Sequence, residues 1–290
     1  MIQFAGISIE NLWTADQWTY IRKNVGEWHG SFIQFSPEAD WVSETPSVLT
    51  LEEDRLDQHM VLVLKRTPQG QATQTMTREL GYPGAVPYIC FFPTGAFSQG
   101  AMQRRPWSSF GAEFCLLSGK RRLRLVQLYN GTASGEHILD YVTLIPEYRP
   151  GADNATHEIA RLSLDTLLGS WHGDRLYLPA TMDRPQVSTS HWQARRSGAE
   201  LILSGDGGLQ KFTPIDPVDQ YRWQAVDDLK HLWLLPRGVS CTVYPQLPSK
   251  HLAQIEVCWY LSDHRRQRIV RDYDAEGNWV GTALMIETRG

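Results

Sequence analysis

The sequence predicts an all-β chain made of two tandem up-and-down β-barrels, each preceded by a short helix, with residues 1–150 forming one copy and 157–290 the other. Three observations predict it. The chain repeats itself, each repeat breaks into short alternating segments, and helical spacing is confined to the stretch before each copy's first strand.

The repeat carries the argument. Gly26-Glu-Trp28-His29-Gly30 recurs as Gly169-Ser-Trp171-His172-Gly173, 143 positions on. Phe92-Pro93-Thr94-Gly95 recurs as Leu235-Pro236-Arg237-Gly238, and Glu113-Phe114-Cys115 as Glu256-Val257-Cys258, both at that offset. Arg121-Arg122-x-Arg124-Leu125-Val126 recurs as Arg265-Arg266-x-Arg268-Ile269-Val270, 144 on. Leu144-x-x-Glu147-x-Arg149 recurs as Leu284-x-x-Glu287-x-Arg289, 140 on. A period this long exceeds that of solenoids and propeller blades, so a whole domain has been duplicated. Pro150 to Thr156 has linker composition and lies between the copies.

In the first copy the strand candidates are Trp28–Phe35, Val48–Leu51, Met60–Arg66, Ala72–Arg78, Tyr88–Phe92, Phe97–Met102, Glu113–Leu117, Leu123–Tyr129 and Tyr141–Glu147. They are rich in β-branched and aromatic residues, and turn residues separate them. Before them, Thr14 can cap a helix, Asp16 suits its first turn, and Trp18, Ile21 and Val25 fall at helical spacing. In the second copy Ser163 can cap a shorter helix carrying Leu164, Leu167 and Leu168. Many strands joined by short turns favour a barrel, because closure removes sheet edges. A pair of β-sandwiches is the alternative. Each copy is expected to have its own hydrophobic core.

Composition excludes some functions. A net charge of −4 without a clustered basic surface gives no reason to expect nucleic acid as a partner. Cys90, Cys115, Cys241 and Cys258 have no C-x-x-C spacing, and Met1 to Glu10 lacks the pattern of a signal peptide. A cytoplasmic location with free, buried thiols is therefore expected. Leu80 to Gln103 has no charged residue, but Pro83, Pro87, Pro93 and four glycines exclude a membrane-spanning helix there. No transmembrane segment is expected. The chain lacks G-x-S-x-G, H-E-x-x-H, Walker and G-x-G-x-x-G motifs, and its histidines are scattered, so neither a catalytic residue nor a metal site is assigned. Gly205-Asp-Gly-Gly208 reads as a hairpin loop.

One polar pattern stands out. On a strand, Arg122, Arg124, Val126 and Leu128 share one face, while Arg121, Leu123 and Leu125 share the other. Arg266, Arg268 and Val270 repeat the first arrangement. These arginines form either a basic stripe on a solvated exterior or guanidinium groups inside a lumen that can hold carboxylates bidentately. Glu113 and Glu256 are partners of the stripe or surface residues. Arg122, Arg124, Arg266, Arg268, Glu113 and Glu256 are accordingly the candidate ligand-binding residues.

A short helix, a Gly-x-Trp opening the first strand and an arginine near the end of the last strand resemble the lipocalin signature. That resemblance implies that Trp28 with Arg149, and Trp171 with Arg289, close one end of each barrel; His29 and His172, repeated beside the tryptophans, are expected to serve the same end. Asn24 to Phe32, Gly95 to Gly100, Phe110 to Phe114 and Arg121 to Leu128 further resemble a tandem lipocalin-like (calycin) family of cyanobacteria and plastids. It is distantly related to barrel-type bilin lyases and has no assigned activity. The resemblance implies a binding or carrier protein for an amphipathic carboxylate-bearing molecule, either a tetrapyrrole such as a bilin or a fatty acid. A bilin-lyase-like enzyme acting on a phycobiliprotein partner, and a filled-barrel interaction scaffold, are the alternatives.

Overall fold

The first helix begins where a side chain supplies the missing backbone acceptor. Asp16 accepts a hydrogen bond from the Thr19 amide at 2.8 Å, and α1 (Gln17–Ile21) runs on into a 3-10 turn at Arg22–Asn24. Asp16 is thus the cap; Thr14 lies outside the residues that the computed structural model describes, which are 3–8, 16–55, 59–81, 89–152, 161–181, 183–218, 220–226 and 229–290. Ser163 caps α2 (Leu164–Leu167) by accepting from the Thr166 amide at 3.1 Å. Each helix turns into its first strand through a glycine with positive φ, +125° at Gly26 and +121° at Gly169, a backbone state that disfavours side chains.

A short hairpin, β1 (Gln3–Phe4) with β2 (Ile7–Ser8), precedes the first copy. The first copy itself contributes β3 (Gly26–Phe35), β4 (Trp41–Arg55), β5 (His59–Arg66), β6 (Gln74–Gly81), β7 (Ile89–Phe91), β8 (Phe97–Gly100), β9 (Phe110–Ser118), β10 (Arg121–Gly131) and β11 (His137–Tyr148). Their sheet order is β6-β5-β4-β3-β11-β10-β9-β8-β7. All nine expected segments fall on these strands. The largest discrepancy is β4, which runs far beyond Val48–Leu51 because it pairs with β3 through the polar stretch Ser43–Ser47.

The second copy contributes β12 (Gly169–Pro179), β13 (Gln186–Ser197), β14 (Glu200–Gly205), β15 (Gly208–Pro214), β16 (Arg222–Ala225), β17 (His231–Leu235), β18 (Val239–Val243), β20 (Ala253–Ser262), β21 (Arg265–Tyr273) and β22 (Trp279–Arg289). These ten close into a barrel, β22 returning to pair with β12. Asp206 and Gly207 turn the β14–β15 hairpin, as expected. The chain is all-β, with two strand-rich copies in tandem. The first is a curled sheet among the described residues, whereas the second is closed. No helix of the described residues is long and apolar enough to cross a membrane.

The expectation of two separate cores is only half met. Each copy has an inner cluster of its own, around Trp28, Leu49, Leu51 and Met60 in the first and around Trp171, Leu201, Phe212 and Trp223 in the second. The largest cluster belongs to both copies. It joins Phe114, Leu116, Leu123, Leu125 and Leu144 to Val239, Ile255, Val257, Ile269 and Leu284. The two walls pack back to back through their outer faces, as stacked sheets do. Polar contacts cross the same seam. Gln127 donates to the Thr242 carbonyl at 2.9 Å, and Gln267 to the Leu117 carbonyl at 2.8 Å. The strand β19 (Gln246–Leu247) of the second copy pairs with β11 of the first. Arg271, fully buried here, donates to the Ser98 hydroxyl and the Gly100 and Ala101 carbonyls and lies over the Trp279 ring at 4.2 Å.

Candidate functional site

With the Leu123/Leu125 face committed to the seam, alternation sends Arg122 and Arg124 into the interior of the first copy. Register then completes the arrangement. Arg122 stands directly opposite Glu147 on β11, and Val126 opposite Glu113 on β9. Arg122 donates to both Glu147 oxygens at 2.7 and 3.0 Å, and Arg124 donates to both at 2.9 and 2.8 Å. Arg124 also reaches Glu113 at 2.9 Å. All three Arg124 nitrogens are engaged. The exterior reading of this stripe is therefore corrected: the charges lie inside, and they neutralise one another.

The second copy repeats the plan with different spacing of partners. Arg266 donates to Glu287 at 2.7 Å and to the Tyr260 hydroxyl at 3.0 Å. Arg268 bridges Glu256 at 3.0 Å and Glu287 at 3.1 Å, and Ser190 donates to Glu287 at 2.7 Å. Fewer bonds are shared, and Nη2 of Arg266 and Nε of Arg268 have no hydrogen-bond partner.

Glu147 and Glu287, the centres of both networks, carry no site assignment in the sequence reading. The signal was present: both are repeated, and both share a motif with the barrel-closing arginine. Assigning them needed the β10–β11 register, which a sequence does not display. Glu113 and Glu256 do pair with the stripe.

Each network abuts the tryptophan that opens its copy. Trp28 lies between two guanidinium groups, Arg149 at 4.5 Å and Arg122 at 4.4 Å from the ring centre. Trp171 lies between Arg289 at 4.8 Å and Arg266 at 4.4 Å. The outer arginines also cap the helical turns, Arg149 donating to the Lys23 carbonyl and Arg289 to that of Thr166. His29 is apart from this, half-exposed and bonded to Glu27 at 2.6 Å. Arg289→Ala is expected to cost about 1–2 kcal/mol, the sum of one cation–π contact and lost stem packing, measured as a shift in the urea midpoint.

Burial would raise the carboxyl pKa values of Glu147 and Glu287, but the paired guanidinium groups overcome it and hold both at about 2. Folded values below the ordinary 4.5 stabilise the fold above that pH, and the contribution is lost as pH falls from about 4.5 towards 2. Each glutamate is expected to contribute on the order of 3 kcal/mol at neutral pH. Urea titrations at pH 7, 4.5 and 3 check this; a midpoint unchanged down to pH 3 would contradict it. The four cysteines are free and buried, and burial pushes their thiols up, away from reactivity. Among the described residues no cluster of His, Cys, Asp or Glu could hold a metal ion.

The closed barrel contains a cavity of about 390 Å³. Arg268 and Glu256 form part of its lining, together with Arg175, Gln210, Gln254 and Asp272. Of the six candidate ligand-binding residues, these two alone line it. The first copy has an apolar groove of about 460 Å³ at the equivalent wall, between Met102, Ala112, Val126 and Leu128, with Glu113 at its side.

Comparison with known proteins follows the same division into halves. Residues 14–152 match the family described as Domain of unknown function (DUF3598), N-terminal. Residues 158–290 match the Biogenesis factor required for ATP synthase 1, C-terminal domain. A crystal structure of a DUF3598-family protein of unknown function from Nostoc punctiforme is similar at 30% identity, covering 96% of this chain and 100% of that one, with a TM-score of 0.84. An S-type phycobiliprotein lyase from Guillardia theta aligns over 100% of this chain and 98% of its own at 8% identity, with a TM-score of 0.19, too slight a likeness to bear on the argument. A search of curated proteins gives no match.

Proposed function

We propose that this chain, which belongs to the DUF3598 family, is an assembly factor that holds a protein partner, ATP synthase being the complex whose biogenesis it serves. The observation that carries this reading is the match of the whole C-terminal half to the domain named for that role. The fold suits such work. Two walls fused through one core make a stiff body, and a loop strapped to the second copy by Arg104 presents Trp107 to solvent. Trp107 is 78% exposed at φ +64°, with Arg105 beside it and Met102 nearly half exposed. Exposed, preorganised Trp and Arg are the usual anchors of protein interfaces. The test is size-exclusion chromatography and calorimetry with purified ATP synthase subunits, offered singly. A one-to-one complex weakened about tenfold or more by Trp107→Ala supports the reading; no complex with any subunit at micromolar concentration removes it.

A second reading, small-molecule binding, is favoured by the cavity in the closed barrel. Its size falls in the range of ligand pockets. A tetrapyrrole or fatty-acid carrier, and a lyase-like activity on a phycobiliprotein, are the finer forms of this reading. Native mass spectrometry of the protein purified from a phototrophic host tests it through the mass of any retained molecule.

A further inference from the structure

The two copies share their Arg/Glu networks but differ in what surrounds them. Arg175 sits four residues after Trp171, where the first copy has Phe32 four residues after Trp28. Asp272 sits four residues after Arg268, where the first copy has Leu128 after Arg124. Gln254 sits two residues before Glu256, where the first copy has Gly111 before Glu113. In the second copy, all three line the cavity of the closed barrel. In the first, the Phe32 ring fills the position under Arg124 at 5.7 Å.

Three lumen positions thus exchange Phe, Leu and Gly for Arg, Asp and Gln. Arg175 and Asp272 are partly buried and Gln254 is exposed, so this lining is polar and open to solvent. Gln254 donates to Asp272 at 2.9 Å, and burial raises the Asp272 carboxyl despite the Arg175 charge nearby. Among the described residues no carboxylate lies within ion-pair distance of Arg175, whose guanidinium rests on the Tyr177 ring at 5.0 Å. Arg268, whose buried Nε has no hydrogen-bond partner, is part of the same lining, and Arg266, whose buried Nη2 has none, is part of that of a small adjoining cavity of about 30 Å³. Arg266 is 1% exposed, so water cannot serve it from outside.

We infer that the lumen of the closed barrel is a binding site for a small carboxylic acid that also carries a hydrogen-bond donor, the acid held by Arg175 and the donor by Asp272. This rests on the small-molecule reading and moves the anion contact away from the stripe. Arg124 is saturated by its glutamates, and Arg268 has one nitrogen to spare, whereas a carboxylate needs a guanidinium edge.

The test uses the full chain with 4-hydroxybenzoate and 4-hydroxybenzamide, and with lactate and lactamide, followed by calorimetry and saturation-transfer NMR. Each acid is expected to bind saturably, about tenfold or more tighter than its amide. Arg175→Leu should remove that preference without moving the unfolding midpoint, since the side chain is only half-buried. Ser188→Trp, at the cavity lining, should block every probe. Acid and amide binding equally, or Arg175→Leu changing nothing while Ser188→Trp still blocks, overturns the acid assignment and leaves the cavity a binding site. No saturable binding by any probe also overturns the acid assignment. If no retained mass is found either, the small-molecule reading falls with it.

Discussion

Glu147→Gln is expected to destabilise the chain by about 3–5 kcal/mol, the cost of breaking a buried ion pair by removing one partner. The substitution keeps the side chain's volume and removes only its charge. Glu147 takes four hydrogen bonds from Arg122 and Arg124, and all three side chains are buried. Without it, Glu113 remains, and of the two arginines Glu113 pairs with Arg124. Arg122 is left as a charge in a dry interior with the Asn24 side chain and the Trp28 ring as neighbours. Glu287→Gln should act in the same direction but less strongly, because Tyr260 and the Trp171 and Trp192 rings continue to hold Arg266. Urea unfolding followed by fluorescence measures both. A loss below about 1 kcal/mol for Glu147→Gln would mean that the network behaves as an exposed one.

Trp171→Ala should be comparably severe, about 3–5 kcal/mol for truncating a large buried ring. Trp171 is fully buried among Leu162, Leu167 and Tyr260, whose ring meets it edge-on at 5.5 Å. Truncation also leaves Arg266 and Arg289 without the ring between them, each contact being worth roughly 0.5–2 kcal/mol. Trp28→Ala adds the loss of the hydrogen bond that its indole N–H donates to the Asn24 carbonyl at 2.9 Å. Calorimetric unfolding of both variants is the measurement. A loss under about 2 kcal/mol would show that the ring is not the plug of its barrel.

Much of this architecture was legible because duplication and alternation are written along the chain. The five repeated motifs located two copies, period-2 spacing located the strands, and the Gly-x-Trp and terminal Arg motifs placed Arg149 and Arg289 over their tryptophans. The hidden part depends on what meets across strands. Glu147 stands beside Arg122 only through the β10–β11 register, and Arg175, Asp272 and Gln254 meet only because the second sheet closes.

The sequence by itself determined that Arg122 and Arg124 share one face of their strand while Leu123 and Leu125 share the other. That much follows from strand geometry. Which face is inside was decided by the tertiary structure. A barrel standing alone would bury the leucines in its lumen and leave the arginines in water. Here the second copy covers the leucine face, and the hydrophobic gain is made between the walls. The charged face was left to turn inward, where it is tolerable because each guanidinium meets a carboxylate within about 3 Å.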